Sequence, residues 1–258
     1  MIHPTAIVDR RAEIAPSAEI GPYCVIGAGV VIAEGARLRA HVTVEGVTVL
    51  GPRVEVHSFT ALGGPPQDRS YGGEPTRLEI DEDVVVREHV TVHRGSTKDR
   101  GVTRVGARSW LMAGVHVAHD VTLGPDCTLA GGTLLAGHVT FEEGVTTGGA
   151  AAFAQHVTVG ALAFVAAGAR VEHDVPPFHI AQGDRARIRA LNVVGLERNK
   201  VPEESRAALL AAHRALWRSD RALSVAAATC DDSDPYVRRL LSFVADRTLI
   251  AGPQVSRN

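Results

Sequence analysis

Val105 to Val171 reads VGARSWLMAGVHVAHDVTLGPDCTLAGGTLLAGHVTFEEGVTTGGAAAFAQHVTVGALAFVAAGARV. An apolar residue returns at every sixth place: Val105, Leu111, Val117, Leu123, Leu129, Leu135 and Phe141, then, past one polar lapse at Thr147, Phe153, Val159, Val165 and Val171. The same spacing runs from Ile2 through Val8, Ile14, Ile20, Ile26, Ile32, Leu38, Val44, Leu50 and Val56 to Leu62. A period of six is neither the 3.6 of a helix nor the alternation of a long strand. It fits a prism with three flat faces, six residues to a face and eighteen to a coil, with the apolar residue pointing inward. Stacked coils bury a continuous core and pair their backbones at about 4.8 Å. A small residue often follows the inward one, as at Gly21, Gly106, Gly124 and Ala136, and is read as the residue that lets the chain turn the corner.

Two segments break the register. Residues 64–79, GPPQDRSYGGEPTRLE, and residues 94–104, RGSTKDRGVTR, are rich in Gly, Pro and charge and read as loops leaving one face of the solenoid. Pro176 and Pro177 are expected to stop strand pairing. From about residue 190 helix formers take over, with helix starts at Pro202 followed by two glutamates and at Asp234-Pro235. The expected organisation is an all-β solenoid over residues 1–189, carrying both insertions, and a C-terminal α-helical domain over residues 190–258.

Composition agrees with flat strands. The chain is 45% hydrophobic but only 4% aromatic and holds 26 glycines, so small and β-branched residues must build its core. A formal net charge of −2 without any Lys/Arg cluster argues against a nucleic-acid groove. Cys24, Cys127 and Cys230 lie far apart, as reduced thiols rather than a disulfide framework. The N-terminal MIHPTAIVDRR has no apolar signal-peptide core, and no 18-residue apolar run occurs. The expectation is a cytoplasmic protein with no membrane span.

The eighteen-residue coil lets side chains be placed beside one another. It stacks His119, Gly137 and Gln155 in one column, and Asp120, His138, His156 and Asp174 in the next, with His116 just upstream. Neighbours in a column should lie roughly 5 Å apart. Histidine is the natural general base near neutral pH, an adjacent carboxylate fixes its tautomer, and a glycine N–H one coil away can receive an oxyanion. His119, Asp120 and Gly137 therefore suffice for direct acyl transfer to a hydroxyl, with no Ser or Cys nucleophile motif in evidence. Two other readings stay open: histidines that merely solvate a surface, and a metal site, since neutral imidazole is the commonest ligand.

The hexapeptide register resembles that of the hexapeptide-repeat transferases, whose coils wind left-handed, and the resemblance implies a left-handed parallel β-helix. More specific are VHVAHDVTLG (Val115 to Gly124), LAGHV (Leu135 to Val139), QDRSYGGEPTR (Gln67 to Arg77), VHRGS (Val92 to Ser96), DVPPF and IAQGD. Together these resemble the UDP-N-acetylglucosamine 3-O-acyltransferase family over nearly the whole chain. The resemblance implies a homotrimer with sites between subunits. It also implies transfer of a 3-hydroxyacyl chain, carried on the phosphopantetheine of acyl carrier protein, to the sugar 3-hydroxyl at the first step of lipid A synthesis. No metal or other cofactor is implied.

By the same resemblance His119 is the base, Asp120 its partner and Gly137 the oxyanion donor. Asp68, Ser70, His93, His116, His138, Gln155, Asn192 and Arg198 occupy positions that bind substrate. Ala167 and Arg185 stand where the family sets acyl-chain length, usually with Gly and His, and their greater bulk is expected to shorten or redirect the acyl pocket. The chain departs from the pattern elsewhere too: Ser70 replaces a usual Lys, Asn199 a usual basic residue, and Ala154 a usual His. Arg185, Arg187, Arg189, Arg198 and Lys200 form a candidate docking patch for the acidic carrier protein. A 3-amino acceptor, a non-catalytic sugar-nucleotide binder and a metal-dependent protein like the gamma-class carbonic anhydrases are the alternatives.

Overall fold

The computed structural model describes residues 1–245, 247 and 249. Short strands, most of two residues, form three sheets of nine, eight and ten strands, parallel but for the last strand, and as far as Arg170–Val171 the chain visits the sheets in strict rotation. The first sheet runs from Ile7–Val8 to Arg170–Val171, the second from Glu13–Ile14 to Thr158–Val159 and the third from Glu19–Ile20 to Phe164–Val165, with His179–Gln182 and Arg187–Leu191 added at its end to make ten. Each strand pairs with the one a coil away, so that Val117 lies on Leu135 and Leu135 on Phe153. The result is a left-handed parallel β-helix.

The inward residue of each hexapeptide is buried from Ile20 onward, and these aliphatics fill the prism from end to end. Thr147, the polar lapse, is buried among them. Its hydroxyl bonds to that of Thr133 at 2.8 Å and accepts the Ala130 N–H at 3.1 Å, so the buried oxygen is satisfied within the prism.

The small residue after the inward one does a different job from the expected one. The backbone turns two places later, at residues in the left-handed region that are mostly not glycine: Tyr23 at φ 59°, His41 at 59°, Asp120 at 61° and His138 at 63°. Gly21 and Gly106 have ordinary φ but no room, because a Cβ would fall 2.8 Å from the Arg39 backbone and 2.5 Å from that of Gly124. Their smallness lets coils approach. Each left-handed residue costs about 1 kcal/mol. Hydrogen bonds between coils, such as His138 N–H to His119 C=O at 3.1 Å, offset that cost.

Both insertions leave the prism at the corner between the first and second sheets, the first corner. The prolines end the six-residue register but not the pairing. His179–Gln182 adds in parallel to Phe164–Val165, and Arg187–Leu191 folds back antiparallel on it. Helices α1 (Val193–Arg198), α2 (Glu203–Trp217), α3 (Leu223–Ala227) and α4 (Pro235–Ala245) follow. Asp234 caps α4, its carboxylate accepting the N–H groups of Tyr236 and Val237 at 2.9 and 3.0 Å. Tyr236 packs on Phe178, and Arg239 of α4 pairs with Glu142 and Glu143 of the coil.

A buried pair of imidazoles joins solenoid to helices. His179 Nδ1–H donates to the Pro177 carbonyl at 2.7 Å, leaving its Nε2 to accept from His213 Nδ1 of α2 at 3.1 Å, beside Trp217. Burial pushes the His179 imidazole down to about 3, whereas an unfolded chain takes up that proton near pH 6.5. The unfolded state thus binds more protons between those values, so stability is full above about pH 6.5 and falls as pH drops toward 3. Thermal unfolding followed from pH 7 to 4 is expected to show Tm declining, less steeply in His179→Phe; equal slopes would remove His179 as the cause.

Candidate active site

Asp120 is the best-held side chain at the first corner. It follows the strand His116–Val117, takes the left-handed turn position, and is 2% exposed. Its backbone N–H donates to Thr103 Oγ1 at 2.8 Å. Its carboxylate accepts three hydrogen bonds: the Ser96 N–H at 2.8 Å, the Ser96 hydroxyl at 2.6 Å, and His119 Nδ1 at 2.8 Å. A carboxylate committed to accepting fixes the proton of His119 on Nδ1 and leaves the Nε2 lone pair free.

Gly137 lies one coil on. A Cβ there would stand 2.7 Å from His119 Cε1 and 2.9 Å from Nε2, so glycine is what makes room for the imidazole. Its carbonyl accepts the His156 N–H at 3.2 Å, while its own N–H meets no acceptor among the described residues. The corner therefore offers, side by side, a ring nitrogen that can take a proton and a backbone donor that can receive negative charge.

His138 continues the histidine column. Its ring stands edge-on to His119 at 5.2 Å and stacks on His156 at 4.5 Å, and its Nε2 lies 3.8 Å from Asp120 Oδ2. Gln155 and His156 are exposed and open into a cleft of about 820 Å³, bordered on its far side by Asp174 and by Arg239 and Phe243 of α4. On the adjoining outward face of the first sheet, His116 bonds Thr91 Oγ1 at 2.8 Å, with the His93 ring 5.4 Å away. Burial, helped by His93, pushes the His116 imidazole below its ordinary range. His93 Nδ1–H donates to the Pro65 carbonyl at 2.7 Å and so pins the first insertion.

That insertion carries Asp68 and Ser70. Asp68 Oδ1 accepts both the N–H and the hydroxyl of Ser70 at 2.9 Å, and Oδ2 lies 2.6 Å from Lys98 Nζ of the second insertion. The Lys98 ammonium, with the Ser70 hydrogen bonds, holds the Asp68 carboxyl well below the usual carboxylate range.

The other expected site residues lie elsewhere on the same chain. Ala167 is exposed at the third corner, between the third and first sheets, and Arg185 is exposed in the closing hairpin, 3.4 Å from Glu172. Asn192 sits at the second corner, where its Nδ2 donates to the Leu162 carbonyl at 2.8 Å and its Oδ1 caps α1. Arg198 is exposed in the last turn of α1. Arg187 and Arg189 point outward from the strand Arg187–Leu191, while Ile188 and Leu191 point in.

Sequence reasoning missed Ser96, Thr103, Lys98 and Asp99. Ser96 stands inside VHRGS but twenty-four residues from Asp120, off the eighteen-residue lattice because the second insertion intervenes. No spacing rule reaches it.

On distance alone, His119, Asp120 and His138 could hold a cation, their ligand atoms falling within 4.8 Å of one another. The chemistry of the set fits less well. Both Asp120 oxygens are already engaged by N–H or O–H donors, and His119 turns Nδ1 to that carboxylate rather than toward a shared centre. Cys24 and Cys127 are buried in the prism, and burial pushes the Cys127 thiol up to about 12, so it is no nucleophile.

Residues 174–250 match the family described as Udp N-acetylglucosamine O-acyltransferase, domain 2, and residues 1–34 and 103–137 match the bacterial transferase hexapeptide family. Among solved structures, a UDP-N-acetylglucosamine acyltransferase is 35% identical, with 99% of this chain and all 100% of that one covered, at a TM-score of 0.94. The UDP-N-acetylglucosamine O-acyltransferase of Moraxella catarrhalis is 35% identical over 96% of this chain and 99% of its own, at a TM-score of 0.92. For the Francisella novicida UDP-N-acetylglucosamine acyltransferase the identity is 30%, the coverage 98% and 95%, and the TM-score 0.94.

Proposed function

Because this chain belongs to the UDP-N-acetylglucosamine O-acyltransferase family, we propose that it transfers a 3-hydroxyacyl chain from acyl carrier protein to the 3-hydroxyl of UDP-N-acetylglucosamine, the first step of lipid A synthesis. The observation that carries the mechanism is the contact of His119 with Asp120 on one side and Gly137 on the other. His119 Nε2 takes the proton of the sugar 3-hydroxyl as its oxygen attacks the thioester carbonyl. The Gly137 N–H receives the oxyanion, and Asp120 stabilises the imidazolium. Collapse breaks the C–S bond and expels the phosphopantetheine thiolate, which takes from Nε2 the proton that the sugar hydroxyl gave up. The ester forms with no acyl-enzyme.

The proposed assembly is a homotrimer. Ala167 and Asn192 lie at corners remote from the His119 corner of the same chain, so they serve one site together only if neighbouring copies bring their corners to it. The outward residues of the first sheet from Ile7 to Thr91 suit a contact between copies, because Ile7, Val25, Thr43, Ala61 and Thr91 are uncharged. Light scattering on the eluting protein should give the mass of three chains. No described helix is long and apolar enough to cross a membrane.

Product analysis by mass spectrometry tests the reaction, offering carriers of several acyl lengths with 3-hydroxy and 3-amino acceptors. An ester on UDP-N-acetylglucosamine is expected, with a shortened length preference if Ala167 and Arg185 narrow the acyl path. An amide would move the reading to the 3-amino sugar, and absence of any product to a binding protein. Metal analysis of the active protein separates the metal reading, which the engagement of both Asp120 oxygens by Ser96 disfavours.

A further inference from the structure

We propose that Lys98 is a substrate-binding residue, its ammonium holding the diphosphate of the sugar nucleotide over the histidine corner; this rests on the sugar-nucleotide reading above. The second insertion is tied down on both sides of Lys98. Ser96 binds Asp120 through its N–H and hydroxyl, Asp99 Oδ2 lies 3.7 Å from His138 Nδ1, and Arg100 Nη2 donates to Thr122 Oγ1 at 3.1 Å. Those contacts fix the loop against the residues that would do the chemistry. Lys98 is thereby delivered to the same corner.

The Lys98 side chain is 55% exposed, and its Nζ lies 2.6 Å from Asp68 Oδ2. One donor of the ammonium is directed at that carboxylate, and the others remain for a second anion. Charge explains why an anion needs it. Asp68, Asp99 and Asp120 all stand at this corner, and a diphosphate approaching three carboxylates is repelled unless a cation intervenes. Arg94 cannot serve, because Nη1 donates to the Gly63 carbonyl at 2.7 Å and Nη2 to the Tyr71 hydroxyl at 3.1 Å, fastening the first insertion. Ser70 brings no charge, and both its donors are spent on Asp68. Lys98 is a point charge held by one partner and free to meet another.

Steady-state kinetics of Lys98→Met and Lys98→Arg test this. The methionine variant should raise KM for UDP-N-acetylglucosamine about tenfold with kcat within about twofold, and the arginine variant should stay within about threefold of wild type. The methionine variant should also lose part of the dependence of KM on ionic strength. An unchanged KM overturns the assignment. So does a raised KM that keeps the full salt dependence, since that marks a residue that only holds the loop. If the wild-type protein forms no product, the reaction reading falls separately, and calorimetric titration of UDP-N-acetylglucosamine into wild type and Lys98→Met still decides whether the ammonium binds it.

Discussion

His119→Ala is expected to lower kcat by about 10³-fold, the middle of the range for removing a general base. The side chain stands at a corner outside the packed prism, so its loss opens no core cavity and Tm should hold. Asp120 keeps its two bonds to Ser96, which preserves the turn and the anchoring of the second insertion. The Gly137 N–H survives as well, so residual activity above the uncatalysed rate would come from the oxyanion donor and from binding. Sugar-nucleotide affinity should change little, since the lost nitrogen acts as the proton moves. A variant that keeps more than about a tenth of the wild-type kcat would place the base elsewhere, with His138 the next ring to examine.

The prism and the histidine corner could be read from spacing because both depend on a rule that repeats: what is true of Val117 and Leu135 is true of every inward pair eighteen residues apart, from Val105 to Val171. The turn residues could not. Tyr23, Arg53, Phe59, Asp120 and His138 share a left-handed backbone without sharing any chemistry, because coil stacking outweighs local preference. Gly21 and Gly106 read as turn residues by type, yet their place in the fold demands glycine for close approach. The same arithmetic separates the corners, as Ala167 lies forty-eight residues beyond His119, which is two coils and two further faces. What arithmetic could never supply is Ser96 on Asp120 and Lys98 on Asp68, contacts made across insertions whose paths no period describes.

Gly137→Ala is expected to lower kcat about 10²-fold while leaving the fold in place. Gly137 does not lie in the left-handed region, so alanine meets no backbone strain there. The added methyl meets the His119 ring instead, at 2.7 Å from Cε1, 2.9 Å from Nε2 and 3.2 Å from Nδ1. Either the imidazole swings away, which breaks its 2.8 Å bond to Asp120, or the coil shifts and carries the oxyanion donor with it. Both displace one catalytic group against the other, and a displacement of about 1 Å can cost 10² in rate. Gly149→Ala is the matched control. It occupies the same place in the hexapeptide at the third corner, where the nearest atom to a new Cβ is the Gly131 carbonyl oxygen at an ordinary 3.4 Å. Melting curves should therefore coincide for the two variants, with kcat falling only in Gly137→Ala. Full activity in Gly137→Ala would mean that the acyl group reacts away from this amide, and matching losses of Tm and kcat would mean that glycine here serves packing alone.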